Sequence, residues 1–543
     1  MKRFVKTFVY TVAAIFFVMY PSAMGGTAKA LLDTEYWLTL DPQRLTVLLD
    51  KVETLDFSDG EGETPLHAAA QAATPETFAV LLDRWRAEGL PLDPRDREGF
   101  TPLMVAAYAT PYPEILRQLV SAGADLDLAG PDGETALHFA ARGNPKTDIL
   151  ATLIDLGGPL EAEDVDGWTP LLTAAYSGSA QKIALLLAAG AHLDHRARKG
   201  GVTALHLAAA NASGPEPVRV LLKAGLSPSE LSAEGWTPVF SAAINPNPGA
   251  VEILEVLLDA GGSLGSTGKY GETPLHVAVQ QRQGRPKLVA FMLERGADVH
   301  ARDRFGWVPL HGAAAVGRSS AVVRLLVEAG SDLEARTVNQ ETPLILLAKQ
   351  GASLEVARTL VDLGADVNAT GRWGWSLLHY AAADGSFYLK VADWVELGAD
   401  VHARNALGET PLHVAARLAK DPDVLRALVE LGADLEARDG NGWTPFLSAA
   451  RGAVSSGTLL QTLADLGADV NARSELGRNA LHIAAQYADY PEPIELLVQL
   501  GVDATVQDVG GNYPWNLLLK NPRLADAEVA QDLSPEGHNT ESR

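Results

Sequence analysis

The 543-residue chain contains no cysteine. That absence removes disulfide stapling, thiolate catalysis, Cys-ligated zinc, iron–sulfur clusters and the lipid-bearing cysteine of a lipoprotein together. Positive charge is in deficit: 44 Lys and Arg face 68 Asp and Glu, a net of -24 with a pI near 4.9. A surface of that sign repels phosphate backbones, so nucleic acid is not an expected partner. After the first thirty residues no apolar run is long enough to read as transmembrane. What is present is 47% apolar residues, 50 Gly and 31 Pro, a balance that fits neither collagen nor a low-complexity chain.

The first thirty residues read as an address. Lys2, Arg3 and Lys6 precede an apolar run from Phe8 to Tyr20, then Pro21 and a small-residue stretch ending Ala28-Lys29-Ala30. This is the layout of a secretory signal peptide, and cleavage is expected after Ala30; a retained anchor is the alternative. Removal leaves 40 basic against 68 acidic residues, a net of -28. The expected location is periplasmic or secreted.

The rest is a repeat. Aligned on Gly-x-Thr-Pro-Leu-His, fourteen copies follow one another from Thr64 to Tyr513 in steps of 34 to 37 residues. A second landmark, Gly-Ala-Asp, keeps phase at Gly123, Gly296, Gly364, Gly398, Gly432 and Gly467. Thr is a good helix N-cap, and Pro at the first helical position gives up an N–H that has no partner there. A helix therefore starts at Thr410-Pro411, with His413 able to reach back to the cap and Leu412, Val414 and Ala415 facing neighbours. After the turn at Asp421-Pro422 a second helix carries Leu425 and Leu428 at helical spacing, and Gly432 ends it. The polar segment 434–442 suits an extended, hairpin-like loop.

Two short helices and a protruding loop every 34 residues resemble the ankyrin repeat, on the strength of Thr-Pro-Leu-His-x-Ala at 64–69, 273–278 and 410–415 and Leu-Gly-Ala-Asp at 363–366, 397–400, 431–434 and 466–469. The resemblance covers roughly 62–519. It implies an all-α repeat solenoid of stacked helix-turn-helix units with protruding hairpin loops, about 110–140 Å along its contour. Residues 31–61 are expected to form N-terminal capping helices, and 520–543 the end of the C-terminal cap and a disordered tail. The 37-residue step holding Trp85 and the 36-residue step holding Gly261 to Lys269 are expected to place insertions in loops.

A second rhythm spans two repeats. The residue before the N-cap is aromatic at Phe100, Trp168, Trp236, Trp307, Trp375 and Trp443, and acidic at Glu134, Glu272 and Glu409 among others. In the resembled family that position faces the concave surface where partners are held, so these nine residues are the candidate partner-binding set. Packing between neighbouring loops is the alternative role for the rings. Acidic residues beside them, such as Glu163, Asp164, Asp434, Glu436 and Asp439, suggest a basic or mixed-charge protein partner.

Catalytic signatures are missing. Eight of 13 histidines occupy the capping place, and His192-Leu193-Asp194-His195 is a weak metal candidate better read as an exposed pair. Gly265 to Lys269 fails the phosphate-loop spacing, with Tyr270 where Ser or Thr should follow. No cofactor, metal or small-molecule substrate is expected. The resemblance implies a non-enzymatic interaction scaffold, expected as a monomer, and the leader places its action outside the cytoplasm. A structural spacer or envelope tether, touching membrane only if the leader is retained, and a secreted effector or immunity-type binding protein are the alternatives.

Overall fold

The computed structural model describes residues 26–281, 284–350, 353–384, 391–451 and 456–525. Within them the chain is an all-α repeat solenoid: thirty α-helices, one 3-10 turn and no strand. Of the expected leader only the short helix Gly26–Ala30 is described, and of the expected tail only the residues up to 525.

Thr410 illustrates how each unit begins. Its backbone is extended, its hydroxyl caps the first turn and Pro411 sits at the first helical position of Pro411–Leu418. The Thr410 N–H donates to His413 Nδ1 at 3.2 Å, while His413 Nε2 lies 2.9 Å from the Trp443 carbonyl of the next repeat. Because Nδ1 accepts, the ring is neutral and Nε2 carries the proton it donates. His67, His138, His276, His311 and His379 repeat this bridge, reaching Phe100, Trp168, Trp307, Glu341 and Glu409 carbonyls at 2.9–3.1 Å. One side chain thus closes a helix start and fastens it to the following loop.

Pro411 through Ala416 are all buried, because this inner helix is flanked by the inner helices Leu377–Asp384 and Pro445–Ala450 of its neighbours as well as by its own outer helix. Alanines make the close approach possible. The outer helix Asp423–Glu430 buries only Leu425 and Leu428, leaving its remaining face to solvent. Inner-helix carbonyls left open at the C-terminal end are satisfied from the next repeat. Asn144 Nδ2 donates to Ala107 and Thr110 at 3.2 and 2.8 Å, Asn245 and Asn521 act likewise, and Lys182 Nζ takes Ala140 and Ala141 at 2.9 and 3.1 Å. Burial lowers the Lys182 amine to about 8.

Each loop closes on a residue in the left-handed region, Gln340 before Thr342 and glycine in the other copies, such as Gly442 at φ 73°, and on a backbone bond such as Asp439 N–H to the Trp443 carbonyl at 2.9 Å. A further bond joins successive loops, as from Gly440 N–H to the Leu407 carbonyl at 2.8 Å.

The two long steps depart from expectation. The three extra residues near Trp85 extend the outer helix Pro75–Ala87 by about one turn rather than swelling a loop. Leu81, Leu82 and Trp85 continue its buried stripe, and Trp85 Nε1 donates to the Pro91 carbonyl at 2.9 Å. The extra residues of the 36-residue step lie in the 245–249 turn, since Gly261 to Thr273 keeps the usual 12-residue interval. By internal contacts the chain divides into two compact units, one of residues 1–233 and 245–261, the other of residues 234–244 and 262–543.

Burial holds the six bridging imidazoles below the usual histidine value of 6.5. The unfolded chain then binds more protons than the folded one, so stability is complete above about pH 6.5 and falls as pH drops through the lowered values. Urea midpoints should hold near pH 7.5 and fall as pH drops from about 6.5 to 5.5, less steeply in His413→Gln, which keeps a cap but cannot charge; a midpoint indifferent to pH would contradict the bridge.

Candidate partner-binding face

The nine candidate residues stand at one structural place, the last loop residue before an inner helix. Asp439 fixes it for Trp443: its Oδ1 accepts the Asn441 and Trp443 N–H groups, each at 2.8 Å. Asp164 and Asp303 do the same for Trp168 and Trp307. With the preceding histidine on its carbonyl, each such residue is held from both sides and its side chain is directed along the inner helix.

In the first unit, Phe100 meets Phe139 edge-on at 5.1 Å and Trp168 tilts against Tyr176 at 5.2 Å. In the second, Trp236 stacks on Phe240 at 5.3 Å, Trp307 lies 6.2 Å from the His311 ring, and Trp375 lies 5.2 Å from Tyr380. Trp443 has the Arg451 guanidinium 5.8 Å above its ring. All six rings are half-buried. Each packs on its own inner helix or the next and keeps an edge in water.

The acidic members behave differently. Glu134 is 4% and Glu409 6% exposed, and each is paired with an arginine eight residues on: Glu134 with both terminal nitrogens of Arg142, Glu409 with Arg417 at 2.8 Å. Asn405 Nδ2 adds a bond to Glu409 at 2.8 Å. Glu341 pairs in the same way with Lys349. Glu272 has Gln280 at that offset and instead accepts from Trp236 Nε1 at 2.7 Å and Tyr270 N–H at 2.9 Å. These carboxylates are tied into the array, and the rings beside them present the accessible surface.

Much of the expected acidic rim is tied down too. Glu163 pairs with Arg198 at 2.5 Å, and Glu436 accepts the Asp469 N–H at 2.8 Å. His192 turns to Glu161, with 3.4 Å between Nδ1 and the carboxylate, whereas His195 Nε2 meets the Gly167 carbonyl at 3.0 Å. The two rings therefore do not converge. Among the described residues no group of three or more His, Asp or Glu is arranged to hold a metal ion, and no helix is long and apolar enough to cross a membrane.

One set of loop residues escaped the sequence reading. Arg302, Arg336, Arg404, Arg438 and Arg473, all six places before the N-cap, each bond a carbonyl of their own loop and one of the next. Arg438, for example, reaches Gly442 at 2.9 Å and Arg473 at 2.7 Å. The recurring Ala-Arg pair was the available signal.

Comparison with known proteins adds a family. The profile described as "Ankyrin repeats (3 copies)" matches residues 41–130, 103–199, 205–303, 282–371, 310–405 and 378–474, and the single "Ankyrin repeat" profile matches 476–509. The chain is similar to ankyrin repeat and SOCS box protein 16 of Mus musculus, 37% identical over 120 residues, which is 21% of this chain and 26% of that protein. The Homo sapiens protein of the same name is 41% identical over 95 residues, 17% of this chain and 20% of that one. The matches thus span about a quarter or less of these relatives' own length.

Two substitutions test the electrostatics of the face. Arg417→Met leaves the buried Glu409 carboxylate short of its charged partner and should cost about 1–3 kcal/mol. Adding Glu409→Leu should recover most of that loss in denaturant unfolding; a neutral single variant would contradict the pairing. Glu63 has Gln71 where other copies have a cation, and burial together with Asp59, Asp96, Glu61 and Glu98 raises its carboxyl to about 7. The folded state then holds a proton that the unfolded chain releases, so this group's contribution to stability falls as pH rises from about 4.5 to 7. Glu63→Gln should be more stable than wild type by about 1–3 kcal/mol at pH 8 and by little at pH 4.5, measured by urea titration at both values.

Proposed function

This chain belongs to the ankyrin repeat family, and from that membership we propose a non-enzymatic scaffold that acts outside the cytoplasm and holds protein partners on the face built from loop bases and inner helices. Ankyrin repeats are protein–protein interaction modules, typically without enzymatic activity. The observation that carries the reading is the division of labour at the place before each N-cap. Glu134, Glu341 and Glu409 are consumed in internal ion pairs, while Phe100, Trp168, Trp236, Trp307, Trp375 and Trp443 keep part of each ring in water.

Half-buried aromatics of fixed orientation supply contact area at low entropic cost, the usual character of interface anchors. Lysine and arginine stand among them, with Lys349 Nζ 5.3 Å from the Tyr380 ring and Arg451 5.3 Å from the Tyr487 ring. That mixture suits a partner bearing both signs of charge. Action outside the cytoplasm is supported by the basic start at Lys2, Arg3 and Lys6, the apolar run after it and the Ala28-Lys29-Ala30 site.

The test is cross-linking capture from cell envelopes, using tagged full-length protein and a variant carrying Trp236→Ala, Trp307→Ala and Trp375→Ala. A specific partner should come down with wild type and fall about tenfold with the variant while its melting transition stays cooperative. Equal recovery by both proteins would return the rings to packing, and recovery of no partner would favour the spacer.

A further inference from the structure

The outermost loop residues change character along the chain. Three places before the N-cap, the loops leading to Thr64, Thr101, Thr135 and Thr169 carry Glu61, Glu98, Asp132 and Asp166, all exposed. In the second unit the same place holds Tyr270, Phe305, Trp373, Leu407 and Leu476, which are 38%, 47%, 65%, 61% and 57% exposed, with Glu234, Asn339, Asn441 and Gly510 in its other copies. The preceding residue is Lys269 beside Tyr270, Arg304 beside Phe305 and Arg372 beside Trp373. The Arg304 guanidinium lies 4.1 Å from the Tyr270 ring and 4.7 Å from that of Phe305, and Arg372 lies 4.5 Å from the Trp373 ring. Backbone bonds tie each tip to the loop that follows it: Arg304 N–H donates to the Tyr270 carbonyl at 2.8 Å, Val338 N–H to Phe305 at 3.0 Å and Ala406 N–H to Trp373 at 2.9 Å.

The acids of these loops are occupied elsewhere. Asp303 Oδ1 caps its own turn, Glu272 takes Trp236 Nε1 and Glu341 takes Lys349. Lys269 keeps a 3.9 Å contact with Glu234, both side chains 56% exposed. Among the described residues no carboxylate is within ion-pair distance of Arg304 or Arg372. On a chain of net charge -24, this row offers outward cations laid on aromatic rings.

Trp373 adds an independent observation. Its φ is 59° and that of Gly374 is 73°, the pair of left-handed residues that the loop before Thr203 makes with Gly200 and Gly201 at 80° and 59°. Before Thr203 both places of that turn are glycine. A bulky side chain kept in the same conformation, with its ring mostly in water, marks a residue retained for contact.

We propose that the loop tips carrying Tyr270, Phe305 and Trp373, with Lys269, Arg304 and Arg372, dock an acidic protein segment that bears apolar side chains, with Trp373 as the anchor. The cations meet carboxylates and the rings cover the apolar groups. This surface uses the outer tips rather than the loop bases, so it stands or falls apart from the aromatic face proposed above.

The test is a selection of random displayed peptides on the full chain, after removal of those that bind a variant carrying Arg304→Ala, Arg372→Ala and Trp373→Gly. Survivors should carry net negative charge with aromatic or aliphatic residues, and synthetic copies should bind Trp373→Gly about tenfold more weakly than wild type. The same single variant should melt at or above the wild-type temperature, because glycine relieves the left-handed turn. An empty pool, a neutral or basic pool, or equal affinity for Trp373→Gly would overturn the proposal.

Discussion

A neutral imidazole with one nitrogen accepting and the other donating is the joint on which the array depends. An ankyrin unit cannot bury its inner helix alone, and in the copies that carry the histidine one ring fixes the helix start both to its own cap and to the next loop. His413 does both within 3.2 Å and 2.9 Å. A charged ring could not accept from the Thr410 N–H, and the opposite tautomer could not donate to the Trp443 carbonyl. The joint therefore specifies a protonation state as well as a residue type. Its burial and its pH sensitivity have the same origin.

The alternation of loop residues follows from how that joint is built. The carbonyl receiving the imidazole belongs to the residue before the next N-cap, so that residue's backbone is committed and only its side chain is free to vary. Where it is Glu341 or Glu409, a cation eight residues on answers it and the pair stays internal, as it does at Glu134, which follows a repeat with Met104 in the histidine place. Where it is aromatic, the ring leans on a Phe, Tyr or His of an inner helix and leaves an edge in water. A single place in the repeat thus supplies mortar in one copy and surface in the next. The outer tips vary independently, because they are fixed by one backbone bond and otherwise face solvent.

Much of the fold was legible because its signals are local. Thr before Pro, His at the third helical place and Gly432 after the outer helix lie within a turn of the structures they set. What stayed hidden needed two distant elements at once. The partner of Glu409 is eight residues away on the inner helix, whereas Glu409 itself lies in the loop before Pro411, so no single periodic element pairs them. The arginines at 302, 336, 404, 438 and 473 repeat visibly, yet their role is defined by carbonyls about 34 residues on. The step around Trp85 was misread because the charges from Arg84 to Arg97 suggest a loop, whereas Leu81, Leu82 and Trp85 carry the helical stripe one turn further. The aromatic stripe itself was plain in the sequence; its half-buried setting was not.

The most direct measurement of the account is a long-range nitrogen–proton correlation on protein labelled in its histidine rings, followed from pH 8 downward. The six bridging imidazoles should appear as neutral Nε2–H tautomers and remain so below pH 6.5. Rings that appear as Nδ1–H tautomers, or that all charge together near 6.5, would contradict the joint and the architecture argued from it.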